Sequence, residues 1–280
     1  MKSFGDFIIA RWALRKFGVA YGNSLLYGEH LADLDLALGK FPGGCRIAHG
    51  EPSVPAMFDS QRAGLKRSIA SAARLRRSMG GLAVPKGTTL VFDRLGVRER
   101  FIAGRFYARA LPVADNIYLA YCALFDASLA EDTAFPTMLA HTKRTVGIFP
   151  GSRLAAKTLA TETILLLTEL TRSCGGAVRI FCLEGEACDL TPDAYDLTIV
   201  PRNFRAMADA VRSVDGVISA DSMPAHMAEY FAMPVFVVSP VANKYWLPLS
   251  CFVAGHWSLS TDPVSLRDSL RAFLSPNTYV

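Results

Sequence analysis

Two short stretches hold side chains that can do chemistry on a phosphorylated ligand. The first, VISADSMPAHMAEYFAMPVFVV (residues 217–238), sets Asp221 and Ser222 in a polar turn and His226 five residues beyond the aspartate. An aspartate at the carboxyl end of a strand and a histidine one turn into the next helix point into one crevice, where open α/β sheets bind ligands. Pro224 suits a first helical turn, and the unpaired N–H groups there make a seat for phosphate oxygens. The second stretch, FPGSRLAAK (149–157), offers Gly151 for close backbone approach, then Ser152, Arg153 and Lys157. It lacks the GxxxxGK[ST] spacing of a nucleotide-hydrolase phosphate loop, so a kinase or ATPase reading is poorly supported. A lysine there still holds a diphosphate as a point charge and stabilises it as it leaves, an interaction that strengthens in the transition state. On spacing alone, plainer roles compete. Asp221 or Ser222 serves equally as a helix cap, His226 as a satisfied histidine on a packed face, and Lys157 as a solvated lysine at a helix start.

These side chains need a particular frame. Apolar runs at Val217–Ile218 and Pro234–Val238, on either side of a helix from Pro224 to about Phe231, read as a βαβ unit with a parallel sheet. The βα rhythm begins at Thr145 with VGIFP and continues through a helix over 158–173, the strand VRIFCL, the acidic loop EGEACD, a strand at Leu197–Val200 and a helix over 203–213. YWLP (245–248) reads as a loop. A final helix over 262–274 is expected to pack across a domain surface. Upstream, MKSFGDFIIARWALRKFG reads as a glycine turn and an amphipathic helix with Asp6 at its start, where a cap is the plain role, and with Gly18 as C-cap. Short strands at Ser24–Tyr27, Arg46–His49 and Thr88–Phe92 follow, with helices over Glu29–Leu38, 57–79 and 116–129. In DRLGVRERF, Arg94, Arg98 and Arg100 stand near a strand's carboxyl end and suit bidentate contact with carboxylate or phosphate. The stretch 130–144 loses periodicity and carries a proline, so the domains are expected to run over 1–143 and 144–280.

At 280 residues the chain suits two domains. No apolar run reaches the twenty residues of a membrane span, and Asp6 and Arg11 interrupt any signal-peptide pattern. Six scattered cysteines without zinc spacing read as reduced thiols of a cytoplasmic protein. Residues 1–143 carry 19 Lys and Arg against 12 Asp and Glu, a net +7, whereas 144–280 carry 11 against 13, a net −2. The first half should therefore prefer an acidic partner. No nucleic-acid-binding signature is present, and an anionic glycolipid or a phosphorylated sugar at a membrane face fits the charge. The cations over 57–79 read as a solvated face or as phosphate contacts.

Together, SFGDFIIARWALRKF, FPGSRLAAK and ADSMPAHMAEYFAMPVFVV resemble glycosyltransferase family 9, the ADP-heptose:lipopolysaccharide heptosyltransferases and their relatives. YWLP echoes a later family segment. The resemblance is carried across 145–250 and is thin between 20 and 140. It implies the GT-B fold, two Rossmann-like domains facing a cleft, with the acceptor on the first and the nucleotide-sugar on the second. It implies an inverting, metal-free transfer without a cofactor, from a nucleotide-diphosphate donor to an anionic cell-surface glycan or lipid, by a cytoplasmic protein that touches the inner membrane surface. Carried over residue by residue, Asp6 would be the general base and Lys157 would hold the donor diphosphate. Ser152, Arg153, Asp221, Ser222 and His226 would line the donor site, with Glu186 (less surely Glu184) on the ribose. By their charge and their place after a strand, apart from the resemblance, Arg94, Arg98 and Arg100 would meet the acceptor. Two rivals stand beside this reading: a GT-B nucleotide-sugar epimerase or hydrolase, and a non-catalytic nucleotide-sugar-binding protein. Met223 stands where the family has glycine, and only four residues precede Gly5–Asp6 where the family has a full strand. The first sheet is therefore expected to lack its central strand.

Overall fold

Strands that are apolar at every position can only sit inside a sheet covered on both faces, and the second half of the chain is built that way. In the computed structural model the described residues are 4–18, 25–27, 31–39, 45–47, 65–81, 89–92, 94–127, 135–136, 138, 144–186, 190 and 195–275. They fall into two compact units, Met1–Ala114 with Leu119–Ser128, and Asp115–Tyr118 with Leu129–Val280.

The first unit opens with helix α1 (Phe4–Ala13), which widens into a π turn over Leu14–Gly18. The amphipathic expectation fails here, because Phe7 through Ala13 are all buried. Arg11, expected on a polar face, lies inside, ion-paired with Asp35 and donating to the Gly39 carbonyl. A buried guanidinium needs such partners, and Asp35 on α2 (Ala32–Ala37) supplies the charge. Strands β1 (Leu25–Tyr27) and β2 (Cys45–Ile47) pair in parallel. Helix α3 (Leu65–Gly80) carries exposed Lys66, Arg74, Arg76 and Arg77. Arg62 lies outside the described residues. A second parallel pair, β3 (Thr89–Phe92) with β4 (Tyr107–Ala110), flanks helix α4 (Val97–Ala103). Among the described residues these two ladders stay separate. The unit's last helix, α5 (Ile117–Leu124), begins with Ile117 and Tyr118, which belong to the second unit.

The second unit is one six-stranded sheet with every pairing parallel. Its strands are β5 (Thr145–Phe149), β6 (Ala177–Leu183), β7 (Leu197–Val200), β8 (Gly216–Ala220), β9 (Val235–Ser239) and β10 (Trp257–Leu259). Across the sheet the order is β7-β6-β5-β8-β9-β10. Numbered along the unit that is 3-2-1-4-5-6, the doubly wound order whose direction reverses between its first and fourth strands. Helices α6 (Thr161–Ser173), α7 (Phe204–Arg212), α8 (Met223–Tyr230), α9 (Leu249–Ala254) and α10 (Pro263–Leu274) complete it. One core joins Val146, Ile148, Ile180, Ile218, Phe236 and Val238 of the strands to Leu167 and Leu170 of α6 and to Leu266, Leu270 and Phe273 of α10. On the central strands β8 and β9 every position is buried, and on β5 all but the first, which is why these segments read as near-continuous apolar runs. Asn203 caps α7 through the Ala206 N–H (2.8 Å), and Asp262 caps α10 through the Ser265 N–H (3.1 Å). Two elements escape the sequence reading. YWLP is a 3-10 turn (Lys244–Trp246) running into α9, and the three-residue edge strand β10 follows. The helix expected over 158–173 begins only at Thr161, with Lys157 on a separate 3-10 turn, Ala155–Lys157.

Candidate functional site

Where a doubly wound sheet reverses direction, the loops leaving the two adjacent strands part and open a crevice at their carboxyl ends. Here those strands are β5 and β8, with β6 on the far side of β5. The loop after β5 carries Gly151, Ser152, Arg153 and Lys157, the loop after β6 carries Glu184 and Glu186, and the turn after β8 carries Asp221 and Ser222. Topology therefore gathers residues that lie up to 71 positions apart in sequence, from Gly151 to Ser222.

The loop after β5 holds itself in shape. The Leu159 N–H donates to the Pro150 carbonyl (3.0 Å), the Lys157 N–H to the Leu154 carbonyl (2.8 Å), and the Thr158 hydroxyl to the Ser152 carbonyl (3.4 Å). Ser152 Oγ accepts from the Leu154 N–H at 3.3 Å. This brings Lys157 Nζ to 2.6 Å from Asp221 Oδ2. The lysine side chain is 29% exposed and the aspartate 10%, so the pair is shielded on the carboxylate side and open on the ammonium side. Arg153 is exposed.

Ser222 occupies the N-cap position of α8, but its side chain makes no capping bond, and its buried Oγ has no hydrogen-bond partner among the described residues. Pro224 lies in the first turn. Beyond Met223 the helix is buried on every side, so its first turn, flanked by Asp221 and Lys157, is the end left at the crevice. Gly151 has a specific reason to be glycine: the Glu186 carboxylate occupies the place a Cβ would take. The Leu183 N–H donates to Glu186 Oε2 (3.2 Å), which aims that carboxylate across the loop after β5. Glu184 is exposed, and its backbone carbonyl takes the Arg202 Nε–H at 2.5 Å.

His226 is 6% exposed, and its Nδ1 lies 3.1 Å from the Tyr118 hydroxyl. Burial drives its pKa down to about 4; Asp221 pulls it up and Lys157 pushes it down. The imidazole is therefore neutral near pH 7 and close enough to feel both members of the ion pair. Burial, with Glu229 and Cys251 adding to it, raises the Tyr118 phenol well above its usual range, so it keeps its proton. Sequence reasoning placed Tyr118 in a helix and gave it no role. Nothing in the local pattern ties it to a histidine 108 positions away. Asn116 shows one legible trait, an N-cap residue type: its Oδ1 accepts from the Tyr118 N–H (2.9 Å), while its Nδ2 donates to the Lys244 and Leu247 carbonyls.

The remaining candidates lie in the first unit. Asp6 is half-buried in the first described turn of α1. Arg94 and Arg100 are exposed, whereas Arg98 is held by Glu99, with Nη2 2.7 Å from Oε1. Burial alone would raise the Glu99 carboxyl, but hydrogen bonds from Arg98 and from the backbone bring it below its usual value. Among the described residues no group of three or more His, Cys, Asp or Glu could hold a metal ion, and no helix is long and apolar enough to cross a membrane.

The second unit is thus a doubly wound parallel α/β sheet with a polar, ion-paired crevice at its reversal point. Solved glycosyltransferases of family 9 share the chain's fold. It is similar to a glycosyl transferase of family 9 from Veillonella parvula DSM 2008, with a TM-score of 0.58 and 13% identity over 99% of this chain and 89% of that one. It is similar to E. coli heptosyltransferase WaaC with ADP, at 0.61 and 11% over 97% and 96%. It is also similar to E. coli ADP-heptose lps heptosyltransferase II, at 0.55 and 13% over 98% and 96%. No family model and no curated protein matches the chain. At these identities the likeness is one of fold, and it falls on the family that the residue patterns resemble.

Proposed function

We propose that this chain is an inverting glycosyltransferase of GT-B architecture. It moves a sugar, a heptose being the first candidate, from a nucleotide-diphosphate donor to an anionic cell-surface glycan or lipid. The observation that carries the reading is the Lys157–Asp221 pair beside the first turn of α8, at the reversal point of the sheet. The Met223 N–H and the positive end of the helix dipole face the diphosphate, Pro224 having no N–H and the Ala225 N–H donating to the Ser222 carbonyl (3.2 Å), and the open side of Lys157 offers a positive charge. Ser222 Oγ, Ser152 and Arg153 add donors, and the Glu186 carboxylate suits the vicinal hydroxyls of a ribose.

In the reaction, Asp6 takes the proton of the acceptor hydroxyl as its oxygen attacks the anomeric carbon. The bond from that carbon to the β-phosphate oxygen breaks on the opposite face, which inverts the centre. Lys157 and the Met223 N–H at the start of α8 hold the charge that develops on the departing nucleoside diphosphate. The residues supply this without a metal ion or a cofactor. Arg94, Arg98 and Arg100 meet the acceptor's anionic groups, Arg98 by exchanging Glu99 for the ligand. The exposed cations of α3 face an anionic inner-membrane surface from the cytoplasmic side.

A thermal-shift screen of nucleotide-diphosphate sugars tests the donor, because a ligand that binds only the folded chain raises its melting temperature. ADP and ADP-linked sugars should raise it, and a flat screen across all nucleotides removes the proposal. Asp6→Ala should abolish transfer with donor affinity within about twofold of the native chain, a distinction that follows from differential transition-state binding. Equal loss of donor binding in Asp6→Ala and Lys157→Ala would defeat the assignment of the two roles.

A further inference from the structure

We propose that Tyr118 is a positioning residue for the nucleotide-diphosphate site: its hydroxyl donates to Nδ1 of His226 and holds the imidazole as the Nε2–H tautomer. The Nε2–H is then available to a phosphoryl oxygen on the side of Asp221 and Lys157. This last step rests on the transferase reading; the tautomer assignment does not.

Three observations lead there. Tyr118 is fully buried, with its ring 29° from parallel to the imidazole and its oxygen 3.1 Å from Nδ1. A buried phenol must place its proton on an acceptor, and a neutral imidazole has one nitrogen to accept and one to donate. The Glu229 carboxylate acts on the phenol through its charge, and its Oε2 takes the Ser250 N–H at 3.1 Å and the Ser250 hydroxyl at 2.5 Å. Nδ1 stands at hydrogen-bonding distance from the phenol, and when it accepts the phenol proton the imidazole proton sits on Nε2. Tyr118 is itself held. The Asn116 side chain receives its N–H and reaches, through Nδ2, the backbone carbonyls of Lys244 and Leu247 (3.1 and 2.9 Å). Asn116 is completely buried, so the start of α5 is pinned to the turn before α9.

The chemical consequence concerns the sign of what the crevice presents. An Nε2–H donates to an anionic oxygen, whereas the other tautomer would point a lone pair at it. Free imidazole populates both forms, so a partner at Nδ1 decides which one a ligand meets.

The test is a long-range proton–nitrogen correlation spectrum of the full chain labelled with nitrogen-15, with the His226 signals assigned by their loss in His226→Gln. The native chain at pH 7 should show Nδ1 at the unprotonated position and Nε2 at the protonated one. In Tyr118→Phe, which keeps the ring and removes the hydroxyl, both nitrogens should move toward averaged values. ADP affinity measured by calorimetry should fall about 3- to 10-fold in that variant, the scale of one buried hydrogen bond. A packing role alone would leave the nitrogen positions where they are. A protonated Nδ1 in the native chain overturns the assignment, and so does a Tyr118→Phe spectrum with an unchanged tautomer. If Tyr118→Phe fails to fold, the native spectrum decides. If the native chain binds neither ADP nor any other nucleoside diphosphate, the transferase reading falls with the role of Nε2–H, and the spectrum still decides what Tyr118 does.

Discussion

Acidification should weaken the fold through His226 by an amount its surroundings set. Burial holds the folded imidazole at a pKa of about 4, against 6.5 for an unburied one. The unfolded chain therefore binds the proton more readily than the folded chain between those values. Stability is full above about pH 7, falls as pH drops through 6.5, and stops falling below about 4. From these two values the loss is about 2 kcal/mol at pH 5 and about 3 kcal/mol at pH 4, with only a few tenths at pH 7. Many other groups titrate over this range, so the quantity to measure is a difference. Urea unfolding of the native chain and of His226→Gln, from pH 4.5 to 8, gives two stability curves in which the common titrations cancel. The glutamine keeps an acceptor within reach of Tyr118 and cannot charge. The native curve should drop relative to the variant by about 2 kcal/mol between pH 7.5 and pH 5. Curves that stay parallel over that interval would mean that His226 titrates as a solvated histidine, and the buried, neutral imidazole would have to be abandoned.

Three other perturbations probe the crevice and the first unit. Lys157→Met strands a carboxylate that is 10% exposed, and should cost about 2–4 kcal/mol in urea unfolding, whereas Asp221→Asn frees an ammonium with access to water and should cost about 1 kcal/mol. In the same pair of variants, calorimetry with ADP should show at least tenfold weaker binding for Lys157→Met. Gly151→Ala should displace the Glu186 carboxylate and destabilise the chain by about 1–2 kcal/mol, and adding Glu186→Ala should recover most of that loss, a coupling read from a double-mutant cycle of unfolding energies. Replacing Lys66, Arg74 and Arg77 of α3 by glutamate should abolish sedimentation with anionic vesicles at low salt while shifting the melting temperature by no more than about 2 °C, since all three are exposed.

What the amino-acid order discloses depends on how local the cause is. The strands of the second unit are legible because a sheet buried on both faces demands apolar side chains at every position, and Val217–Val238 shows two such runs around a helix. Lys157, Asp221 and Ser222 are legible as a group because each follows the carboxyl end of a strand, and the reversal point assembles them without help from neighbouring sequence. Strand β10 is too short, at three residues, to show a period, and α9 hides behind Pro248, which looks like a loop residue and serves as its N-cap. Arg11 misleads for a different reason. Periodicity assigns charges outward, and only the position of Asp35, 24 residues on, turns this one inward. Tyr118 was beyond reach because its hydrogen bond joins two segments that no local rule relates.

The charges of the crevice constrain how a diphosphate would enter it. Lys157 and Asp221 cancel, His226 is neutral, and the Glu186 carboxylate leans over Gly151, so the site is not a pool of positive potential. In the proposed reading, attraction for phosphate comes from directed donors: the Met223 N–H at the start of α8, the buried Ser222 Oγ that no protein group engages among the described residues, and Nε2–H of His226, with the exposed Arg153 beside them. Lys157 adds its charge on its open side while Asp221 keeps its place, which is a reason for the lysine to be shielded on one flank only. Donors fixed by backbone and by buried partners need no reorganisation when charge develops on a leaving group, whereas mobile surface cations would have to be ordered first. Asp221 is in this view less a ligand for the nucleotide than the brace that aims the lysine, and Tyr118 does the same for the histidine.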